Sequence, residues 1–74
     1  MASFNLRSPH AIQEALKVLG FDPGPSDGIV GPKTRNAVKA YQGSKNLTAD
    51  GIVGPITRKA LAEDLRALGH DVTE

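Results

Sequence analysis

The chain repeats itself. Asp27-Gly28-Ile29-Val30-Gly31-Pro32-Lys33-Thr34-Arg35-Asn36-Ala37-Val38 recurs as Asp50-Gly51-Ile52-Val53-Gly54-Pro55-Ile56-Thr57-Arg58-Lys59-Ala60-Leu61, with nine of twelve positions identical at an offset of 23 residues. Two copies are too few to stack as a solenoid, which needs about three repeats. They read instead as two equivalent corners of one small core. Each copy is a turn, a short extended piece and a helix start. Asp-Gly is turn chemistry, because glycine tolerates positive φ and the aspartate can bond the backbone beyond it. Gly-Pro then opens a helix, since proline at the first helical position has its φ preset and loses no useful N–H.

Periodicity supplies the helices. After Pro32 the apolar or semi-apolar positions Thr34, Ala37, Val38 and Tyr41 are spaced by three and four, which is one helical face. After Pro55 the matching face is Thr57, Ala60, Leu61, Leu65 and Leu68. An earlier helix has Ser8 as N-cap, Pro9 as first residue and Ile12, Ala15, Leu16 and Leu19 as its stripe. Gly20, Asn46 and Gly69 are placed to end the three helices in the left-handed conformation, with Phe21 folding back on Leu16. The expected architecture is all-α: a small three-helix bundle with two structured Asp-Gly loops. Its core is expected from Leu16, Leu19, Ile29, Val38, Ile52, Leu61 and Leu65. The expected boundaries are an N-terminal extension over 1–7, the domain over 8–69 and a C-terminal tail over 70–74. Phe4 is either a cap on the core or outside it.

Size and composition narrow the function classes. Seventy-four residues make one domain with a thin core, as a chain this short buries only roughly 60% of its unfolded surface. No cysteine is present, which removes disulfides and thiolate metal sites. No apolar run approaches the ~20 residues of a membrane span. The start Met-Ala-Ser-Phe-Asn-Leu-Arg lacks the basic opening and apolar stretch of a secretory signal. A formal charge of +1 nominates neither nucleic acid nor membrane.

The ordered runs Ile12-Gln13…Leu16…Leu19-Gly20-Phe21-Asp22-Pro23-Gly24-Pro25, Asp27 to Arg35, Ala37-Val38…Tyr41-Gln42 and Asp50 to Pro55 resemble the three-helix peptidoglycan-binding domain, from about Ser8 to Glu63. That family often carries an aromatic where Val30 and Val53 stand and phenylalanine where Tyr41 stands. It favours Gly-Leu-Pro in place of Asn46-Leu47-Thr48. The resemblance implies a non-catalytic module, typically attached to bacterial and phage cell-wall hydrolases, that targets them to peptidoglycan in the cell envelope. The partner it implies is the stem peptide, the glycan or both, bound by a monomer without cofactor or metal.

The candidate ligand residues are Asp27, Arg35, Tyr41, Asp50 and Arg58. A guanidinium can hold a peptide carboxylate in bidentate fashion, and Arg35 and Arg58 occupy the same place in the two repeats. Their duplication equally suits a structural bond. Asp27 and Asp50 could accept from sugar hydroxyls or an ammonium, or fix their own turns. Tyr41 offers a ring face for a sugar, yet lies on the apolar stripe. Gln13 and Gln42 could bond amide or N-acetyl groups, or brace a loop. Lys33, Arg35, Lys39 and Lys45 make the segment from Gly31 to Asn46 basic, with no acid.

Other classes fit less well. A helix-turn-helix needs a connection of about three or four residues, and the gaps here are longer. His10 and His70 stand near opposite ends of the chain, and no serine has the context of an activated hydroxyl. The inhibitory propeptides of related fold work through a metal-binding cysteine, which is absent. A protein-docking domain inside a larger enzyme or phage particle is the alternative that keeps the fold.

Overall fold

The computed structural model describes residues 3–74. In chain order the elements are β1 (Ser3–Asn5), α1 (Pro9–Val18), α2 (Pro32–Ser44), α3 (Pro55–Ala67) and β2 (Asp71–Thr73). The three helices expected from periodicity are present, and each starts at a proline. Ser8 caps α1 by accepting from the Ala11 amide at 3.5 Å. All three helices end in the same way. Gly20, Asn46 and Gly69 take φ of 91°, 58° and 90°. The next amide then reaches back five residues: Phe21 to the Leu16 carbonyl at 2.8 Å, Leu47 to Gln42 at 2.9 Å and His70 to Leu65 at 3.1 Å. These bonds satisfy carbonyls that the helix end would otherwise orphan.

The core is drawn from one face of each helix. Ala15 and Leu16 from α1, Ala37, Val38 and Tyr41 from α2, and Leu61, Ala62 and Leu65 from α3 are buried together. Leu19 packs against this cluster from its edge, and Leu68, expected on the α3 stripe, is exposed just beyond the helix end.

Two expectations are corrected. Ile29 and Ile52 were expected in the core, but they are 71% and 67% exposed. The Asp-Gly loops turn backbone inward: the Gly28 and Gly51 amides and the Ile29 and Ile52 carbonyls bond buried side chains from the helices. With the backbone satisfied in that direction, the isoleucine side chains point out. The Ile-Val pairs consequently form no strand.

A short strand forms within each of the segments read as an extension and a tail. β1 and β2 pair in parallel, with Phe4 opposite Val72, and the Leu6 amide continues the pairing to the Thr73 carbonyl at 2.8 Å. A parallel pair requires a crossover connection, and here the whole helical bundle is that connection. Phe4 and Leu6 are buried in the common core, so Phe4 is part of the core. Met1 and Ala2, at the start of the expected extension, lie outside the described residues. Arg66 fastens the far strand, donating to Glu74 Oε2 and to the Val72 carbonyl, both at 3.0 Å.

Candidate functional site

Both Asp-Gly loops hang from a buried glutamine on the preceding helix. Gln13 of α1 accepts from the Gly28 amide at 2.8 Å and donates to the Ile29 carbonyl at 3.0 Å and to Thr34 Oγ1 at 3.2 Å. Gln42 of α2 accepts from the Gly51 amide at 2.9 Å and donates to the Ile52 carbonyl at 3.0 Å and to Thr57 Oγ1 at 3.1 Å. Gln42 also reaches Asp50 Oδ1 at 3.0 Å. A buried amide with all its partners is held in one orientation. Of the two roles weighed for these glutamines, bracing a loop is the one their bonds perform.

Asp27 and Asp50 are exposed, and each carboxylate accepts from the amide two residues on, at 2.9 Å in both loops. The turn-fixing bond is therefore present in both copies. The Ile52 amide and then the Gln42 side chain hold the Asp50 carboxyl below its usual range. Gly28 and Gly51 take φ of 79° and 75°, a region strained for β-branched side chains.

Tyr41 is corrected as a ligand candidate. Its side chain is 1% exposed, its ring meets the edge of Phe21 at 5.5 Å, and its hydroxyl donates to Asp64 Oδ2 at 2.6 Å. Burial, and then the Asp64 carboxylate, push the phenol pKa up. No face is left for a sugar. Asp64 also takes Lys45 at 2.8 Å. Burial works to raise the Asp64 pKa, but bonds from Lys45 and Tyr41 outweigh it and leave the carboxyl below its usual value.

The two repeated arginines differ. Arg58 is half-buried, and its Nη1 lies 3.4 Å from the Val53 carbonyl of its own loop. Arg35 is exposed and, among the described residues, has no carboxylate partner. It stands at the side of an open groove of about 360 Å³ bounded by Ile12 of α1, Val38 of α2, and Val30, Ile52 and Val53 of the two loops. The groove thus unites both repeats with α1. Asp27 and Asp50 do not line it, so the five candidates do not converge on one site.

The exposed residues of the loops are the part that periodicity missed. Ile29, Val30 and Ile52, with Ile56 at the start of α3, present aliphatic surface beside the groove and the loop turns. The signal for it was the glutamine on each apolar stripe. Gln13 lies three residues before Leu16 and Gln42 four after Val38, so a polar group already occupied the loop side of the core.

Three helices closed around one small core, with two equivalent glutamine-braced loops, define a compact binding module. A family model described as "Putative peptidoglycan binding domain" matches residues 8–61. The chain belongs to this family, which is a family of binding domains. A curated relative, the "Putative OxPP cycle protein OpcA" of Synechocystis sp., is 40% identical over 47 residues, covering 64% of this chain and 10% of that protein. The chain thus spans about a tenth of the length of that relative. No solved structure matches. Among the described residues, no helix is long and apolar enough to cross a membrane, and no cluster of side chains is placed to hold a metal ion.

Proposed function

We propose that this domain binds peptidoglycan reversibly and without catalysis, and so holds an attached enzyme or assembly against the bacterial wall. The observation that carries this reading is the family match across residues 8–61. The shape of the surface supports it. The groove is open to solvent and lined by both loops and two helices, which suits an exposed segment of a polymer. Affinity per site is low, because binding must offset lost translational and rotational freedom. A dense repeating wall and a tethered second attachment raise it through effective concentration. Sedimentation of the folded domain with purified sacculi is the test. Co-sedimentation that saturates and reverses on dilution is expected. A folded domain that stays in the supernatant with walls of differing stem-peptide chemistry sinks the reading.

A second reading has one observation in its favour. The relative sharing 40% identity carries the name of an OxPP cycle protein, not of a cell-wall protein. A module of this fold that docks onto protein inside a larger assembly accounts for that name. Failure to sediment with sacculi, together with retention of the domain by the remainder of its own full-length protein, is the outcome that favours docking.

A further inference from the structure

We infer that the groove beside Arg35 recognises the stem peptide of the wall, through its carboxylates and small aliphatic side chains, and not the glycan. This rests on the wall-binding reading above and names the part of the polymer that is held.

The argument against the glycan comes from the aromatic residues. Sugar rings are commonly held on exposed aromatic faces, which pair apolar surface with a polar rim. This chain has no tryptophan, one tyrosine and two phenylalanines. Tyr41 and Phe4 are buried, and Phe21 is half-buried with Tyr41 against it. His10 is an exposed ring, but it faces a different hollow with Ala11 and Glu14. No aromatic ring lines the groove itself.

The argument for the peptide comes from charge. Three cations project from α2 and a fourth, Lys45, follows its last residue; two of the four are already neutralised, Lys33 by Asp22 at 3.1 Å and Lys45 by Asp64 at 2.8 Å. Arg35 and Lys39 have no such partner among the described residues. They are four residues apart on one helix, so they share a face. Arg35 lines the groove, and the Lys39 side chain packs beside Gly51, another lining residue, where an added Cβ would stand 3.2 Å from Lys39 Cε. No carboxylate lines the groove, and its walls are Ile12, Val30, Val38, Ile52 and Val53. Two unpaired cations over an aliphatic trough complement a peptide carrying free carboxylates and methyl side chains. A wall stem peptide has both, while in the intact wall the lactyl carboxylates of the peptide-bearing sugars are tied up in amide bonds, so the glycan there offers mainly hydroxyl and acetamido groups.

The hollows at the loop turns make an internal comparison. One is lined by Asp27, Ile29, Gly31, Pro32 and Thr34, and another by the equivalent Asp50, Ile52, Gly54, Pro55 and Thr57. Such duplicated hollows follow from the repeat itself. The Arg35 groove draws on α1, α2 and both loops together, and its cation differs from Arg58, which turns to its own loop carbonyl.

The test is an amide-shift titration of the labelled 74-residue chain with three probes: the free stem tetrapeptide, glycan strands stripped of peptide with their lactyl carboxylates capped as primary amides, and intact sacculi by sedimentation. The tetrapeptide is expected to move the amides of Val30, Arg35, Ile52 and Val53, and stripped strands to leave them in place. Arg35→Gln is expected to weaken peptide binding ~10-fold, the scale of one charge-assisted hydrogen bond. Lys39→Gln, read in parallel, is expected to weaken it less, as an ammonium makes no bidentate pair. Lys59→Gln on exposed α3 removes the same charge elsewhere and is expected to change nothing. Sedimentation with sacculi together with shifts from stripped strands and none from the peptide overturns the peptide assignment and leaves wall binding standing. Peptide shifts unchanged in both groove variants overturn the assignment to this groove. No sedimentation at all takes the wall-binding reading with it.

Discussion

Gln13 and Gln42 occupy equivalent places behind the two Asp-Gly loops, and each closes its loop by accepting from a glycine amide and donating to an isoleucine carbonyl and a threonine hydroxyl. Both are almost fully buried, at 0% and 1% exposure. This pair explains the architecture better than any apolar contact does. The duplicated Asp-Gly-Ile-Val-Gly-Pro-x-Thr run carries the loop side of the arrangement, and the preceding helix carries the glutamine.

Replacing Gln42 with Ala therefore leaves the Gly51 amide, the Ile52 carbonyl and Thr57 Oγ1 without their buried partner. Each orphaned buried group costs about 1–3 kcal/mol where water cannot reach it, and partial hydration of the loop reduces the sum. We expect Gln42→Ala and Gln13→Ala each to destabilise by about 2–4 kcal/mol, a large part of the ~5 kcal/mol or slightly more available to a small domain. Urea titrations decide it. A loss under about 0.5 kcal/mol, the scale of an ordinary surface change, makes the glutamines incidental.

Leu16 and Ile29 separate burial from hydrophobicity. Leu16 is fully buried among all three helices, whereas Ile29 is exposed. Leu16→Ala is expected to cost about 2–5 kcal/mol through lost transfer energy and the cavity left behind. Ile29→Ala is expected to stay within about 0.5 kcal/mol. Equal losses in thermal unfolding would mean that the loop isoleucine packs inward.

What could be read in advance was local. Prolines at helix starts, the left-handed caps at Gly20, Asn46 and Gly69, and the positive φ of Gly28 and Gly51 each depend on a few adjacent residues. The helix stripes through Leu16, Val38 and Leu65 were equally legible, because periodicity reports burial directly. The terminal strands were not. Each is three residues long, and its partner stands at the opposite end of the chain, so no local pattern announces the pairing. Ile29 and Ile52 misled for a related reason: a β-branched residue beside a turn reads as core unless one sees that glutamines from the helices fill that place. Of the candidate site, the unpaired state of Arg35 was invisible in sequence, since Arg35 and Arg58 are identical residues at equivalent places in the two repeats. Only the neighbouring groove tells them apart.

The terminal ribbon carries a prediction of its own. Phe4 is buried against the core and meets His70 edge-on at 5.3 Å. Phe4→Ala is expected to cost about 3 kcal/mol, at the low end for a buried aromatic because the ribbon lies at the rim of the core. The Leu6 amide, bonded to Thr73, is expected to exchange slowly with solvent deuterium in the wild type and quickly in the variant. Rapid exchange in the wild type would mean that the strands are open in solution.

Two glycines give opposite expectations. Gly43 is exposed inside α2 with ordinary helical φ and nothing within 4 Å of an added Cβ. Gly43→Ala is expected to stabilise by roughly 0.5–1 kcal/mol, the helix-propensity difference. Gly51 holds φ of 75° and has the Lys39 side chain and the Arg35 carbonyl within 3.4 Å of an added Cβ. Gly51→Val is expected to destabilise strongly, because both the backbone strain and the contact oppose it. A raised melting temperature for Gly43→Ala beside a lowered one for Gly51→Val checks both, and the same sign in the two variants refutes the assignment.

Acid is expected to weaken the fold through three carboxylates. Asp22, Asp50 and Asp64 all sit below their ordinary value of 3.8: Asp22 mainly through the Gly24 amide and Lys33, Asp50 through the Ile52 amide and Gln42, and Asp64 through Lys45 and Tyr41, which outweigh its burial. A group whose folded pKa is depressed stabilises the protein above its unfolded pKa, and that contribution is lost as pH falls through the folded value. Stability should therefore be insensitive to these groups near neutrality and fall progressively once pH drops below 3.8, while they protonate. Asp22 and Asp50 are well exposed, so solvent screens their share. Asp64 joins α3 to α2 through the Tyr41 hydroxyl and Lys45, and its share should dominate. Asp64→Asn keeps the shape but cannot gain or lose that proton. Melting temperatures measured from pH 2 to pH 7 should thus fall less steeply in the variant than in the wild type, from a lower plateau at neutral pH. Parallel curves would show that Asp64 does not set the acid limit of the fold.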